Sequence, residues 1–89
     1  MIMDRKAILE ELKKVLAPYI KNKELLAGIN EQTNLVTDLK INSANLVDIV
    51  IDAESKYHIE IDVDSAEKMV TVSNCLDVIQ EKLAQTSQP

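Results

Sequence analysis

Gly28 is the only glycine in a chain of 89 residues, and Pro18 and Pro89 are its only prolines. Sheets folded from many short strands need turn residues at regular intervals, so a β-sandwich or barrel is excluded. Phosphate-cradling loops of the Walker or dinucleotide-binding kind need several glycines close together and fall with them. With an all-β fold set aside, the helical periodicity along the chain makes an all-α fold the expectation. Tyr19 and Tyr57 are the only aromatic residues, so the core has to be assembled from Leu, Ile, Val, Ala and Met. At this length one thin core forms, without a second domain or a deep pocket of enzymatic size.

The same economy limits the chemistry. Cys75 and His58 each stand alone, which excludes an intramolecular disulfide and a structural metal site. No nucleophile, base and orienting group can be assembled from them, so the chain is read as non-catalytic. His58 is expected to be an exposed polar residue and Cys75 a small buried one on the last helix. Asp62 and Asp64 read as a solvated turn. The opening MIMDRKAILEEL is charged where a signal peptide needs an apolar run, and no stretch reaches the ~20 apolar residues of a membrane span. A cytoplasmic setting is therefore expected.

Charge is unevenly placed. Residues 1–37 hold five acids and six bases, whereas residues 38–68 hold eight acids and three bases, a net −5 that equals the net charge of the whole chain. Nucleic-acid binding calls for the opposite sign. An acidic middle third suits protein partners with basic surfaces.

Ile8, Leu12, Val15, Leu16 and Tyr19 form a stripe with helical spacing behind a capping Asp4, and Pro18 ends that helix near Ala17. Residues 18–41 form a long connection with scattered apolar anchors and a helical turn over Lys23–Ala27. Asn42 caps the strongest helical segment, in which Ser43 takes the first helical position and Tyr57 the last. Tyr57, Ile59, Ile61 and Val63 then alternate with polar residues. A lone strand leaves its hydrogen bonds unmet, so this segment is predicted to be an extended connector pinned by its isoleucines. Asp64 or Ser65 starts a short helix through Met69, and Thr71 caps the last one. Residues 1–84 form the domain, and 85–89 are expected to be a disordered tail.

On a helical wheel Leu46, Val50, Ala53 and Tyr57 point one way, flanked by Ile49 and Val47, and define the predicted core stripe. Ala44, Asp48, Ile51, Asp52 and Ser55 point the other way. Ile51 is the anomaly, a large apolar side chain between acids on the outer face, and it suggests a small docking surface. Ser43 opens this helix, where backbone N–H groups and the helix dipole favour an anion such as a phosphate ester.

From Asn34 to Leu83 the chain resembles the acyl carrier protein family. The run NLVTDLKINSANLVDIVIDAESKYHIEI is similar to that family's loop, its Asp-Ser-Leu attachment motif and its acidic second helix. DSAEKMVTV continues the match without a gap. The resemblance implies a four-helix bundle with a long first loop and a short third helix. It also implies 4′-phosphopantetheine attached to Ser43, whose thiol carries acyl intermediates as thioesters for fatty-acid, polyketide-like or other specialised lipid biosynthesis. The implied partners are a phosphopantetheinyl transferase and acyl-loading, ketosynthase and other acyl-processing enzymes with basic docking patches, which would read Ala44, Val47, Asp48, Ile51 and Glu54. The implied acyl pocket is Leu46, Val50, Ile61, Ala66 and Met69. The carrier is expected to act as a monomer.

Two positions depart from the family motif, which reads Asn42-Ser43-Ala44 here. The change removes a carboxylate beside the serine and an apolar knob after it, which points to a carrier dedicated to its own pathway. Lys40 and Ile41 stand where peptidyl carriers typically show glycines. A peptidyl or aminoacyl carrier and an acidic helical adaptor without prosthetic group are the alternative readings.

Overall fold

A computed structural model describes residues 4–86 of the chain. Helix α1 spans Arg5–Leu16 and buries Ile8, Leu12, Val15 and Leu16. Asp4 takes the N-cap position, but its carboxylate makes no capping bond. The Pro18 prediction holds with a refinement: the α-helix stops at Leu16 and a 3₁₀ turn over Ala17–Tyr19 carries the proline in its first turn, where a missing N–H costs nothing. One-turn helix α2, Lys23–Ala27, follows, started by Asn22 Oδ1 accepting the Glu24 N–H at 3.0 Å.

The long connection is fastened to the far end of the chain. Leu35 N–H donates to Val70 O (3.0 Å), Val72 N–H to Thr33 O (2.9 Å) and Ser73 N–H to Glu31 O (2.8 Å). Asn34 and Thr71 form an isolated bridge there, and no strand forms among the described residues. Leu35, Leu39 and Ile41 sink into the core, which is how so long a connection stays ordered.

Helix α3, Asn45–Tyr57, is followed by a connector whose Ile59 and Ile61 are buried. Helix α4 is Val63–Glu67 and α5 is Val72–Thr86. The short helix thus starts earlier and ends earlier than predicted. Asp62 is its N-cap residue, with Ser65 Oγ donating to Asp62 Oδ1 at 2.6 Å. Thr71 caps α5 reciprocally: Asn74 N–H donates to Thr71 Oγ1 and Thr71 N–H to Asn74 Oδ1. Helix α5 runs through Gln85 and Thr86, part of the stretch predicted as a tail; residues 87–89 lie outside the described residues.

The core is aliphatic, with Ile8, Leu12, Leu16, Ile49, Leu76 and Ile79 fully enclosed. One polar cluster clips its rim. Arg5 donates to Glu31 Oε1 through both Nε (3.0 Å) and Nη2 (2.7 Å), and through Nη1 to Asp77 (2.9 Å) and Gln80 (2.7 Å). One side chain thereby joins α1, the long connection and α5.

Candidate functional site

The approach to Ser43 is held by side-chain bonds to its backbone and by a buried anchor. Asn34 Oδ1 accepts the N–H groups of Val36 and Thr37, Asp38 Oδ2 accepts that of Asn34, and Ile41 is buried two residues before the serine. Ser43 itself is exposed, and its hydroxyl has no hydrogen-bond partner among the described residues. Asn42 was expected to cap α3, but the N-cap residue is Ala44, without a side-chain capping bond; Asn42 Oδ1 accepts the Ala44 N–H at 3.0 Å in the turn ahead of the helix. The α-helix proper begins two residues later than predicted, at Asn45, because the entry is a tighter turn: Asn45 N–H bonds Asn42 O (2.8 Å) and Leu46 N–H bonds Ser43 O (3.1 Å). The N–H groups of residues 44–46 are therefore engaged within the chain, which corrects the expectation of free donors for an anion.

The core stripe of α3 is rotated from the predicted one. Ile49, Ala53 and Tyr57 are buried against α1, with Tyr57 Oη donating to Ile8 O at 3.4 Å, whereas Leu46 and Val50 are only half-buried. They turn instead toward α4, whose single turn covers them incompletely. Between the two helices lies an apolar groove of about 400 Å³ lined by Leu46, Val47, Val50, Ile51, Ile61, Val63, Ala66 and Glu67. Val47, Ile51 and Val63 are 64%, 54% and 71% exposed. Ser43 lies one helical turn before Leu46 and Val47, on the flank that carries the groove wall.

Four of the five residues expected to form the pocket line this groove. Met69 does not: it follows the end of α4 and is 4% exposed within the core. Val47 and Ile51, expected on a docking face, stay more than half exposed and also form one wall of the groove, which Val63 and Glu67 complete. Asp62 at the cap starts α4 early enough to turn Val63 outward, breaking the alternation set by Ile59 and Ile61. Ala44 and Asp48 are exposed. Glu54 is half-buried and turned inward, its Oε2 accepting the Ile61 N–H at 2.8 Å, so it holds the connector against α3.

The surrounding titratable groups are partnered. Asp52 accepts the Tyr19 hydroxyl at 2.7 Å, and this bond, with burial and the charges of Asp52 and Asp48, pushes that phenol up to about 12. Asp62 is exposed, as expected, and it serves as the N-cap residue of α4 rather than as part of a free turn. Ser65 and Lys82 hold its carboxyl down at about 2, the ammonium lying 3.2 Å away. Burial pushes the Cys75 thiol up to about 12. His58 is exposed and left-handed, ending α3. Among the described residues no cluster of three His, Cys, Asp or Glu forms a metal site, and no helix is long and apolar enough to cross a membrane.

No protein-family model matches the chain. The acyl carrier protein of Desulforapulum autotrophicum is 35% identical over 72 residues, covering 81% of this chain and 92% of that protein. That of Thermotoga maritima is 30% identical over 79 residues, covering 89% and 95%. Among solved structures, the hexanoyl acyl carrier protein from the actinorhodin polyketide synthase of Streptomyces coelicolor superposes with a TM-score of 0.76 at 24% identity, over 88% of this chain and 92% of that one. The acyl carrier protein of Enterococcus faecalis superposes at 0.72 with 25% identity, over 90% and 99%. With relatives of 30% identity or more matched over nine-tenths of their own length, the chain belongs to the acyl carrier protein family.

Proposed function

We propose that the protein is an acyl carrier in which Ser43 bears 4′-phosphopantetheine and the groove between α3 and α4 shelters the cargo. The observation that carries this reading is an exposed serine hydroxyl without a partner, one turn ahead of an open apolar groove. When attached, the arm supplies a thiol that holds an acyl group as a thioester. The protein's part is to present the hydroxyl, place the arm's base and offer apolar surface. Ala44 leaves the approach to Ser43 open. Each cargo methylene that leaves water in the groove contributes about 0.8 kcal/mol. A lining made almost wholly of aliphatic side chains favours an acyl chain over the aminoacyl cargo of a peptidyl carrier.

Partner enzymes, first a phosphopantetheinyl transferase, meet the exposed face made by Ala44, Val47, Asp48 and Ile51. Asp48 is the acid best placed to attract a basic patch, since Tyr19 occupies Asp52 and the connector occupies Glu54. The reading places the carrier in the cytoplasm and assigns it no catalysis of its own.

Intact-mass spectrometry after incubation with a transferase and coenzyme A tests the assignment. Wild type should gain one phosphopantetheine, and Ser43→Ala none, with unchanged helical content. Modification that survives in Ser43→Ala would place the site elsewhere.

A further inference from the structure

Two non-glycine residues among those described have a left-handed backbone, Lys40 (φ 59°) and His58 (φ 54°). His58 is accounted for by helix termination: its N–H and that of Ile59 both bond Glu54 O as α3 ends. Lys40 ends no helix. Its neighbours Leu39 and Ile41 are each 2% exposed, and their N–H groups bond Asn34 O (3.1 Å) and Leu35 O (3.2 Å). Both flanks are thus pinned, and the reversal at Lys40 lets both hydrophobic side chains point inward. Glycine or asparagine fits such a position without strain, and lysine does not. The lysine side chain is exposed and forms no ion pair or hydrogen bond among the described residues.

Lys40 and Ser43 are three positions apart, so their Cα atoms are at most about 11 Å from each other, within the combined span of a lysine stem and an ester on the serine. A phosphodiester on Ser43 would bring a permanent negative charge into a region that already carries net −5. The backbone donors usually available at a helix start are taken here, since the N–H groups of Ala44, Asn45 and Leu46 bond Asn42 Oδ1, Asn42 O and Ser43 O. Beside the serine, the motif residue is the neutral Asn42.

We infer that Lys40 is the cation that pairs with the phosphodiester on Ser43 and so orients the base of the arm. This rests on the Ser43 assignment above. The strained lysine then has a reason to stand where glycine would be easier: it supplies a charge that the first turn of α3 does not.

The test compares wild type, Lys40→Gln, Lys40→Gly and Lys40→Arg before and after loading with coenzyme A and a transferase, with loading verified by intact mass. Both uncharged variants should show a displaced ³¹P resonance of the phosphodiester, whereas Lys40→Arg should keep the wild-type position. Loading should raise the melting temperature by about 1–4 °C more in wild type than in Lys40→Gln. That difference should vanish in 1 M salt, where the screening length is about 3 Å. Lys40→Gly, freed of the strained backbone, keeps the comparison valid if the glutamine variant folds poorly. Full loading with the same ³¹P position and the same loading shift in every variant overturns the pairing alone. Failure of wild type to gain mass overturns the Ser43 assignment and the pairing with it.

Discussion

Where α1 meets α5, Ile8, Leu12, Leu76 and Ile79 are wholly removed from solvent, whereas across the groove Val47, Ile51 and Val63 are each more than half exposed. The first region also carries the Arg5 cluster, which clips three parts of the chain together. The second has a helix of one turn for a roof. The contrast separates two uses of the same residue types. Aliphatic side chains between α1 and α5 contribute stability, at about 1.5–3 kcal/mol for each one fully buried. Those between α3 and α4 contribute little to stability and are left available for binding.

The largest effect should come from the closed side. Leu76→Ala should lower stability by about 2–5 kcal/mol in urea or thermal unfolding, because the vacated volume has no route to collapse. Acid should come next. Arg5 lowers the Glu31 carboxyl, Lys56 and Lys14 lower that of Glu11, and Ser65 and Lys82 hold Asp62 at about 2. Depressed carboxyls contribute stability that is present above their ordinary values, 4.5 for Glu and 3.8 for Asp, and is lost as pH falls through the folded values. Urea midpoints should therefore fall between about pH 5 and pH 2, and Arg5→Ala should flatten the upper part of that decline. A pH-independent midpoint would mean that these pairs are fully screened.

On the open side Ile51→Ala should cost less than about 0.5 kcal/mol yet slow acyl transfer to a partner enzyme. A loss of stability as large as that of Leu76→Ala would erase the distinction between the two regions. The smallest expected effect is no effect. With its thiol buried and pushed up to about 12, Cys75 should not react with iodoacetamide at pH 8 in the folded apo protein. One adduct should form only after loading, on the new thiol. Labelling of Cys75 would show that the closed side opens.

Much of the scaffold was readable because it depends on local signals. Asp4 and Thr71 announce helix starts, Pro18 an ending, and the stripe from Ile8 to Leu16 a buried face. The extended connector followed from counting: a single alternating segment has nothing to pair with. The site was readable at Ser43 and less so around it. Which flank of α3 is covered depends on the length of α4, and a helix cut to one turn leaves Leu46 and Val50 half-open in a way no wheel can show. Met69 sits in the core because α4 ends at Glu67, before the chain turns toward α5. Glu54 looked like a surface acid, but its bond to the Ile61 N–H exists only once the connector has folded back. The Arg5 cluster joins residues 26 to 75 positions apart and left no trace in local pattern.

The bridge between Asn34 and Thr71 has a topological consequence. Because Leu35 N–H meets Val70 O, residues 36–69 begin and end at one point, and this stretch, packed on α1 through Ile49, Ala53 and Tyr57, contains Lys40, Ser43, α3, the groove and α4. Its two ends are held side by side by that bond and by the Val72 N–H to Thr33 O bond beside it. The roof of the groove can tilt, or the connector change length, without moving the positions at which the stretch is spliced into the rest. The stretch between Leu35 and Val70 is in effect a cassette. Exchanged as one block between related carriers, with the residues that meet α1 matched, it should take its arm site, cargo groove and partner face along with it.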